Sequence, residues 1–288
     1  MRTNVRKKKF DKLRGCMERK LLLINDMAGY GKVALSAMFP VMAKMGINTF
    51  NLPTALISNT FDYGKFDVMD TTSYIRNTLR IWRELGFTFN AISTGFIVNE
   101  EQAELISSYC LEQARKGIII FCDPIMADEG KLYNGLSFKN IEYMRRMAAC
   151  ADFILPNATE AAFLSNIACA EVYSQNTVKQ MIDAIRALGA KSVVITSMHT
   201  DEGFAVCCYD ALKSEYFNVS YEVLPGRFPG TGDIFASVFI GNMINGYSLK
   251  ESVTKAVKTL SSMISACAGL DDRFCGIPVE TCLDLIER

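Results

Sequence analysis

Short apolar runs alternate along the chain with longer segments in which apolar and polar residues recur at helical spacing. The short runs are rich in Leu, Ile, Val and Phe and end at turn residues, a pattern typical of strands buried on both faces of a sheet. Predicted strands are residues 21–24, 48–56, 89–93, 118–122, 153–155 and 193–196. Predicted helices are residues 33–45, 71–85, 101–116, 177–188 and 249–267. The alternation predicts an α/β fold with a mostly parallel central sheet and helices on both faces.

The C-terminal part of the chain adds a predicted hairpin and a glycine-rich helix start. Residues 204–209 and 216–222 are predicted to pair as a hairpin. The stretch Pro229-Gly230-Thr231-Gly232-Asp233 then leads into residues 234–244, which are apolar enough to predict a buried helix. Glycines at a helix start leave backbone N–H groups open, and the helix dipole favours an anion there.

Asp233 falls in the first turn of that helix, beside the predicted anion site. Phosphoryl transfer to an alcohol requires this combination, because the N–H groups stabilise the phosphoryl charge while the carboxylate accepts the hydroxyl proton. The stretch alone is also consistent with a glycine-rich turn in which Asp233 is an ordinary helix cap.

Polar residues follow five of the predicted strands. They are Asn25-Asp26, Thr94-Gly95, Asp123-Pro124, Asn157 and Thr196-Ser197. Any one of them can be a turn residue or a cap. Together they predict a ligand site, because ligands of open α/β sheets bind at the carboxyl ends of the strands.

Three acids at or near the strand ends suggest a metal site. Asp123, Asp128 and Glu160 are suited to hold Mg²⁺ through waters and triphosphate oxygens, and Thr196 and Ser197 can bond phosphate. Each acid alone can equally be a solvated loop residue or a cap.

The stretch Gly29-Tyr30-Gly31-Lys32-Val33-Ala34 partly matches two nucleotide motifs. The dinucleotide fingerprint needs an acid about 20 residues further on, which residues 48–53 lack. A P-loop needs Ser or Thr where Val33 stands. Both readings fail, and these glycines are expected to let a substrate approach the backbone.

Composition narrows the function further. Lys plus Arg and Asp plus Glu balance at 31 each, so no nucleic-acid partner is indicated. The ten cysteines form no CxxC pair and there is a single histidine, which argues against a Cys/His zinc site. We therefore expect free thiols in a cytoplasmic protein, with no membrane-spanning segment.

The N-terminus differs from the rest, with nine Lys or Arg among its first 20 residues. We expect residues 1–19 to be a basic, disordered extension and residues 20–288 to be one domain. A chain beginning at Met17 is expected to match the full chain in Tm and kcat/KM. The alternative is a basic arm with a task of its own.

Seven blocks of residues carry a resemblance. They are Ile24-Asn25-Asp26 with Gly29-Tyr30-Gly31, Leu52-Pro53-Thr54-Ala55 with Ser58-Asn59, Thr94-Gly95-Phe96, Asp123-Pro124-Ile125-Met126 with Asp128, Pro156-Asn157 with Glu160, Val194-Ile195-Thr196-Ser197, and Gly230-Thr231-Gly232-Asp233. In this order they resemble the pyridoxal kinases of the ribokinase-like superfamily, most closely the bacterial pyridoxamine kinases. The resemblance covers the chain from Leu21 onward.

The resemblance implies a single-domain ribokinase-like fold, a homodimer, and ATP-dependent phosphorylation of the 5′-hydroxymethyl group of pyridoxal, pyridoxamine or pyridoxine. It implies Mg²⁺ and leaves dependence on a monovalent cation open. Implied roles are base for Asp233, anion hole for Gly230, Thr231 and Gly232, phosphate and metal contacts for Asp123, Asp128 and Glu160, ATP contacts for Asn157, Thr196 and Ser197, and vitamin contacts for Asn25, Ser58, Thr60 and Phe96.

Departures from the family lie in the vitamin pocket. Asn25 stands where many relatives have Ser, Phe96 where many have Tyr, and Ala127 where Gly is usual. A hydroxymethylpyrimidine kinase is the first alternative, although those enzymes usually carry Cys at the position of Asp233. A non-catalytic B6-binding protein is the second. Sugar kinases usually carry a paired-glycine signature that this chain lacks.

Overall fold

The structure is a computed structural model and describes residues 19–287. The predicted basic extension, apart from Arg19, and the proposed start at Met17 lie outside the described residues. No helix between residues 19 and 287 is long and apolar enough to cross a membrane.

The strands within this range are β1 (Lys20–Tyr30), β2 (Asn48–Asn59), β3 (Val68–Asp70), β4 (Ala91–Thr94), β5 (Ile119–Cys122), β6 (Ala127–Asp128), β7 (Lys131–Leu132), β8 (Phe153–Ile154), β9 (Ser192–Thr200), β10 (Gly203–Asp210) and β11 (Glu215–Ser220). In the described part of the chain, nine of them form one sheet in the order β11-β10-β9-β8-β5-β4-β1-β2-β3. Its centre, from β9 to β2, is parallel. Antiparallel β3 closes one edge and the β10–β11 hairpin the other, while β6 and β7 form a separate two-stranded hairpin.

The helices are α1 (Ala34–Lys44), α2 (Thr72–Glu84), α3 (Glu100–Ala114), α4 (Lys139–Ala148), α5 (Ala158–Ser165), α6 (Gln175–Ala187), α7 (Thr231–Ile244), α8 (Leu249–Ala266) and α9 (Val279–Cys282). Short 3₁₀ turns occupy Phe61–Tyr63 and Leu283–Leu285.

Two hydrophobic cores cover the two faces of the sheet. Leu22 and Ile24 of β1 pack in the core formed with α2 to α6, and Leu21 and Leu23 pack in the core formed with α1, α7, α8 and α9. This alternation follows from the strand period of two, and it explains why the central strands carry consecutive apolar residues, as in Leu21–Ile24. The predicted α/β fold with a mostly parallel sheet and helices on both faces is confirmed.

The structure also differs from the prediction, and the short elements β3, β6, β7 and α9 were not predicted. Strand β1 runs on to Tyr30, so Asn25 and Asp26 lie inside it, at a point where the register with β2 shifts. Helices α4 and α5 were not predicted. Helix α4 buries a narrow stripe that includes Met144 and Met147, and α5 has only eight residues, so neither gives a long periodic signal.

The glycines after the first strand have a packing role. A Cβ at Gly29 would lie 3.0 Å from the carbonyl oxygen of Ser58, and one at Gly31, where φ is +119°, would lie 2.3 Å from Cγ2 of Thr60. The close approach there is between β1 and the end of β2, and not between the backbone and a substrate as expected.

Candidate active site

Helix α7 begins at a backbone position that only glycine fits. Gly230 caps the helix with φ of 81°, and a Cβ there would lie 2.0 Å from the carbonyl oxygen of Lys32. The N–H groups of Thr231 and Gly232 have no protein acceptor within the described residues, and both residues line the main cavity. The N-terminus of α7 therefore presents open donors and the positive end of a helix dipole to the cavity.

Asp233 lies in the first turn of α7 and is held by two other segments. Its Oδ2 accepts a hydrogen bond of 2.8 Å from the N–H of Ala34, and its Oδ1 lies 3.5 Å from the amide nitrogen of Asn25. Burial raises the pKa of Asp233 to about 6, against these hydrogen bonds, which lower it. The side chain is therefore a fixed carboxylate with an affinity for protons close to neutral pH.

The side chain of Asn25 contacts Asp233 and is not part of the cavity lining. Its side-chain oxygen accepts hydrogen bonds from the N–H of Phe96 at 2.8 Å and from the N–H of Asp26 at 3.0 Å. A Cβ at Gly95 would lie 2.4 Å from the Asn25 amide, so the loop packs closely around it. Because both ends of the amide are engaged, its NH₂ group is fixed towards Asp233.

Glu160 is tied to the backbone on both oxygens. Oε1 accepts from the N–H of Met126 at 3.0 Å and of Ala127 at 3.4 Å, and Oε2 accepts from the N–H of Asn157 at 2.9 Å. Asn157 in turn accepts from the N–H of Glu160, which completes a capping box at the start of α5. Glu160 thus fixes the loop after β5 as well as the helix start.

The buried acids raise one another's pKa. Burial raises the pKa of Glu160 to about 8. Burial, then the charges of Glu160 and Asp233, hold the pKa of Asp123 well above its usual range. Burial also raises the pKa of Asp128, against the charge of Arg227. Carboxylates that repel one another around a cavity form an environment that a cation stabilises.

The carboxylates of the cavity suit a Mg²⁺ ion that is held partly by phosphate oxygens of a bound molecule. Among residues 19–287, no three His, Cys, Asp or Glu side chains converge closely enough to hold a metal by themselves. Asp123 lines the cavity and its carboxylate accepts no hydrogen bond from the described residues, so it is free to act as an anchor. Mg²⁺ in phosphotransferases is usually bound through one or two carboxylates plus phosphate oxygens, which matches this arrangement.

These groups open onto one cavity of about 590 Å³. Most predicted site residues line it: Thr60, Phe96, Asp123, Asp128, Asn157, Glu160, Thr196, Ser197, Gly230, Thr231, Gly232 and Asp233. Asn25 and Ser58 do not. Ser58 is exposed, and its hydroxyl donates to Oδ1 of Asn59 at 2.7 Å and accepts from the N–H of Asp67 at 2.8 Å. The structure gives Ser58 a turn-forming role there and places no part of it in the cavity.

One part of the cavity lining is an apolar slot that was not predicted from the sequence. Its walls are Val223 and Leu224 of the loop before α7 and Val257, Leu260 and Ile264 of α8. Val223 and Leu224 are adjacent in a loop and the other three have the spacing of an ordinary amphipathic helix, so no local signal marked them. A flat aromatic base fits a slot of this kind.

Two polar lining residues, Tyr133 and Arg227, were also missed, and Asp26 was predicted at a strand end without a role of its own. Asp26 is buried beside Asp233, Tyr133 faces the acids, and Arg227 lies at the cavity mouth. Arg227 is 3.6 to 3.7 Å from carboxylate oxygens of Asp62, Asp128 and Glu129. A cation two residues before Pro229 was a visible signal for Arg227, because phosphate sites recruit positive charge.

The sequence of this chain is similar to those of known kinases. The sequence profile of the family described as phosphomethylpyrimidine kinase matches residues 37–274. The chain is 24% identical over 257 residues to the pyridoxal kinase PdxY of Rubrobacter xylanophilus, a match covering 85% of this chain and 86% of that protein.

Two solved structures share the fold. A Bacteroides thetaiotaomicron protein, provisionally named a phosphomethylpyrimidine kinase and crystallised with pyridoxal, is 29% identical with a TM-score of 0.89, covering 94% of this chain and 96% of that chain. The Leishmania donovani pyridoxal kinase in complex with ADP and pyridoxamine is 22% identical with a TM-score of 0.80, covering 93% and 95%. The second likeness is one of fold alone.

Proposed function

The chain belongs to the phosphomethylpyrimidine kinase family, and on that basis we propose that it transfers the γ-phosphoryl group of ATP to the 5′-hydroxymethyl group of a vitamin B6 vitamer. The vitamers are pyridoxal, pyridoxamine and pyridoxine, and the reaction belongs to the salvage of pyridoxal 5′-phosphate. The observation that carries the proposal is Asp233, a fixed carboxylate placed beside the open N–H groups at the start of α7.

Asp233 is the group that accepts the proton of the substrate hydroxyl. An alcohol is a poor nucleophile at neutral pH, and a positioned base contributes roughly 10²–10⁴-fold to such a step. The hydrogen bonds from Ala34 and Asn25 hold the carboxylate in place before substrate binds. Its pKa of about 6 is high enough to take a proton and low enough to leave it ionised near pH 7.

The N-terminus of α7 stabilises the phosphoryl group during transfer. The open N–H groups of Thr231 and Gly232 lie next to Asp233. The N–H groups therefore bind the phosphoryl group while Asp233 accepts the proton of the hydroxyl that receives it. Asn157, Thr196 and Ser197 line the same cavity and supply further donors to the triphosphate. Arg227 at the mouth adds positive charge.

The nucleotide is proposed to lie with its base in the apolar slot and its phosphates towards α7. The slot and the anion site are parts of one cavity, and the Leishmania relative of the same fold binds ADP. Mg²⁺ would neutralise triphosphate charge, with Asp123 as its anchor and Asp128 and Glu160 nearby. Within this proposal Glu160 acts mainly by shaping the loop, because its oxygens already accept backbone hydrogen bonds.

A hydroxymethylpyrimidine kinase is the second candidate, and the family name itself favours it. The Bacteroides relative, provisionally named for that activity, was crystallised with pyridoxal, which supports the B6 proposal. A non-catalytic B6-binding protein is less well supported, since the chain keeps both the carboxylate and the anion site.

Assembly and location complete the proposal. Met27, Tyr30, Leu56 and Met69 are 40 to 62% exposed on neighbouring strands of one sheet edge, as expected if a homodimer covers them. A cytoplasmic location fits nine cysteines that are all unpaired in the described residues. Dependence on a monovalent cation is tested by replacing K⁺ with Na⁺ in the assay.

The test is a panel assay with ATP and Mg²⁺. Pyridoxal, pyridoxamine, pyridoxine and hydroxymethylpyrimidine are supplied in turn, and products are identified by mass spectrometry. The proposal expects a 5′-phosphate of at least one B6 vitamer at a kcat/KM at least tenfold above that for hydroxymethylpyrimidine. Phosphorylation of hydroxymethylpyrimidine alone would favour the hydroxymethylpyrimidine kinase. ATP-independent vitamer binding without turnover would favour the non-catalytic B6-binding protein.

A further inference from the structure

Asp26 is a buried carboxyl group in the cavity that the reaction described above does not use. It is 6% exposed and belongs to the cavity lining. Within the described residues, the only hydrogen bond to its carboxylate comes from its own backbone N–H. Its neighbour Asn25, by contrast, has partners at both ends of its amide.

The fold holds this acid in place without giving it a partner. The register of β1 against β2 shifts between Asn25 and Met27, and the two consecutive polar side chains Asn25 and Asp26 are both buried there. A buried carboxylate that lacks a counter-charge is costly, and groups kept in that state are concentrated at functional sites. Burial, and then the charge of Asp233, raise the pKa of Asp26 to about 8, so the free protein holds a proton there that a bound cation would displace.

The chemistry of the vitamers decides which substrate atom meets Asp26. The inference rests on the proposed function, in which the 5′-hydroxymethyl group lies at Asp233. The variable group of the three vitamers is attached to the adjacent ring carbon, so it lies beside the reacting hydroxyl. Asp26 is the carboxyl group next to Asp233 on the cavity wall and interacts with its charge.

We propose that Asp26 binds the 4′-ammonium group of pyridoxamine and makes pyridoxamine the preferred substrate of this protein. An ammonium group offers three donors and a full positive charge, whereas the aldehyde of pyridoxal offers only an acceptor and the hydroxymethyl of pyridoxine is neutral. Charge-assisted hydrogen bonds are about twice as strong as neutral ones.

The experiment compares kcat/KM for the three vitamers in the wild type and in Asp26→Asn. Asn keeps the shape and one acceptor oxygen, and it replaces the second oxygen and the charge with a neutral NH₂ donor. The wild type is expected to favour pyridoxamine over pyridoxal at least tenfold. Asp26→Asn is expected to lose roughly 10–100-fold on pyridoxamine, the range for a hydrogen bond to a charged group, while pyridoxal changes less than about threefold.

Asp210→Asn is the matched control, because Asp210 is equally buried at 4% exposed and lies outside the cavity lining. This control should leave the ratio of the vitamers unchanged. Equal losses on all three vitamers in Asp26→Asn, or a wild type without preference for pyridoxamine, would overturn the inference.

Failure of the proposed function gives a different result. Turnover of pyridoxal and pyridoxine by the wild type reports on the kinase activity, and the change in vitamer ratio reports on Asp26. If no vitamer is turned over, calorimetric titration of pyridoxamine and pyridoxine into wild type and Asp26→Asn still decides the role of Asp26. Pyridoxamine binding that is unaffected by the substitution would then count against it.

Discussion

The carboxylate of Asp233 accepts a 2.8 Å hydrogen bond from the backbone N–H of Ala34, whose φ is 46°. A non-glycine residue rarely adopts positive φ, and such positions cluster where the surrounding structure fixes a functional geometry. The strained backbone position is therefore the first residue of α1, at the point where the chain holds the proposed base. A backbone donor cannot rotate away, so the position of Asp233 is set by the fold itself.

The pH dependence of turnover follows from the ionisation of Asp233. Its pKa is raised to about 6, and only the ionised form accepts a proton from the substrate. We expect kcat/KM to fall as pH decreases through about 6, by close to tenfold per pH unit below it. The pH profile of kcat/KM is corrected for the ionisation of the substrate itself, which is measured by absorbance. A profile that is flat from pH 7 down to pH 5 would be incompatible with Asp233 as the base.

The magnesium requirement separates Asp123 from Glu160. Asp123→Asn should raise the Mg²⁺ concentration for half-maximal activity, because it weakens the proposed anchor, with no loss in Tm since a buried charge is removed. Glu160→Ala should instead lower Tm, because it leaves the N–H groups of Met126 and Asn157 without their acceptor. Mg²⁺ titrations and melting curves of both variants are the measurement. An Asp123→Asn variant with a wild-type Mg²⁺ titration would show that the acid is only structural.

The fold and its family were accessible from the sequence because their signals are local and repeated. Several buried strands contain unbroken apolar runs, and the predicted resemblance is confirmed by the family match to residues 37–274 together with the pyridoxal kinase relatives. Residue types at strand ends located one polar part of the cavity lining, since parallel strands bring their carboxyl ends together: Asp26, Asp123, Asn157, Thr196 and Ser197.

The orientation of individual side chains could not be predicted in this way. Asn25 and Asp26 are adjacent, yet one is bonded to Asp233 and the other faces the cavity. That division depends on the register shift in β1 and on the loop at Phe96, which are tertiary features. The apolar slot likewise arises only when α8 packs against the loop before α7.

The two glycines around Thr231 make a matched pair of tests for the anion site. Gly230→Ala should lower Tm and activity together, because φ is +81° and the new Cβ would lie 2.0 Å from the carbonyl oxygen of Lys32. Gly232→Ala meets nothing within 4 Å and should keep a wild-type melting curve. With the fold intact, Gly232→Ala should raise KM for ATP if phosphate approaches this backbone closely. Melting curves and ATP kinetics of both variants test this, and a stable Gly230→Ala would show that the packing argument is wrong.

Asp26 should make the free protein less stable as pH rises. Its pKa is about 8 in the folded chain against 3.8 for an ordinary Asp, so between these values the folded state holds a proton that the unfolded state releases. The free energy of unfolding from this group is therefore highest below about pH 4 and decreases as pH rises to about 8. Asp26→Asn should raise Tm at pH 8 and much less at pH 4.5, as measured by calorimetry. A lower Tm of the variant at pH 8 would mean that the carboxylate has a stabilising partner.

The most direct test of the account is the rate of phosphoryl transfer from γ-labelled ATP to the B6 vitamers by wild type and Asp233→Asn. Asn keeps the size of the side chain and cannot take the hydroxyl proton. We predict labelled 5′-phosphate from the wild type and a kcat roughly 10²–10⁴-fold lower for the variant, with nucleotide affinity retained. A variant that keeps near-normal kcat, or a wild type that labels no vitamer, would contradict the account.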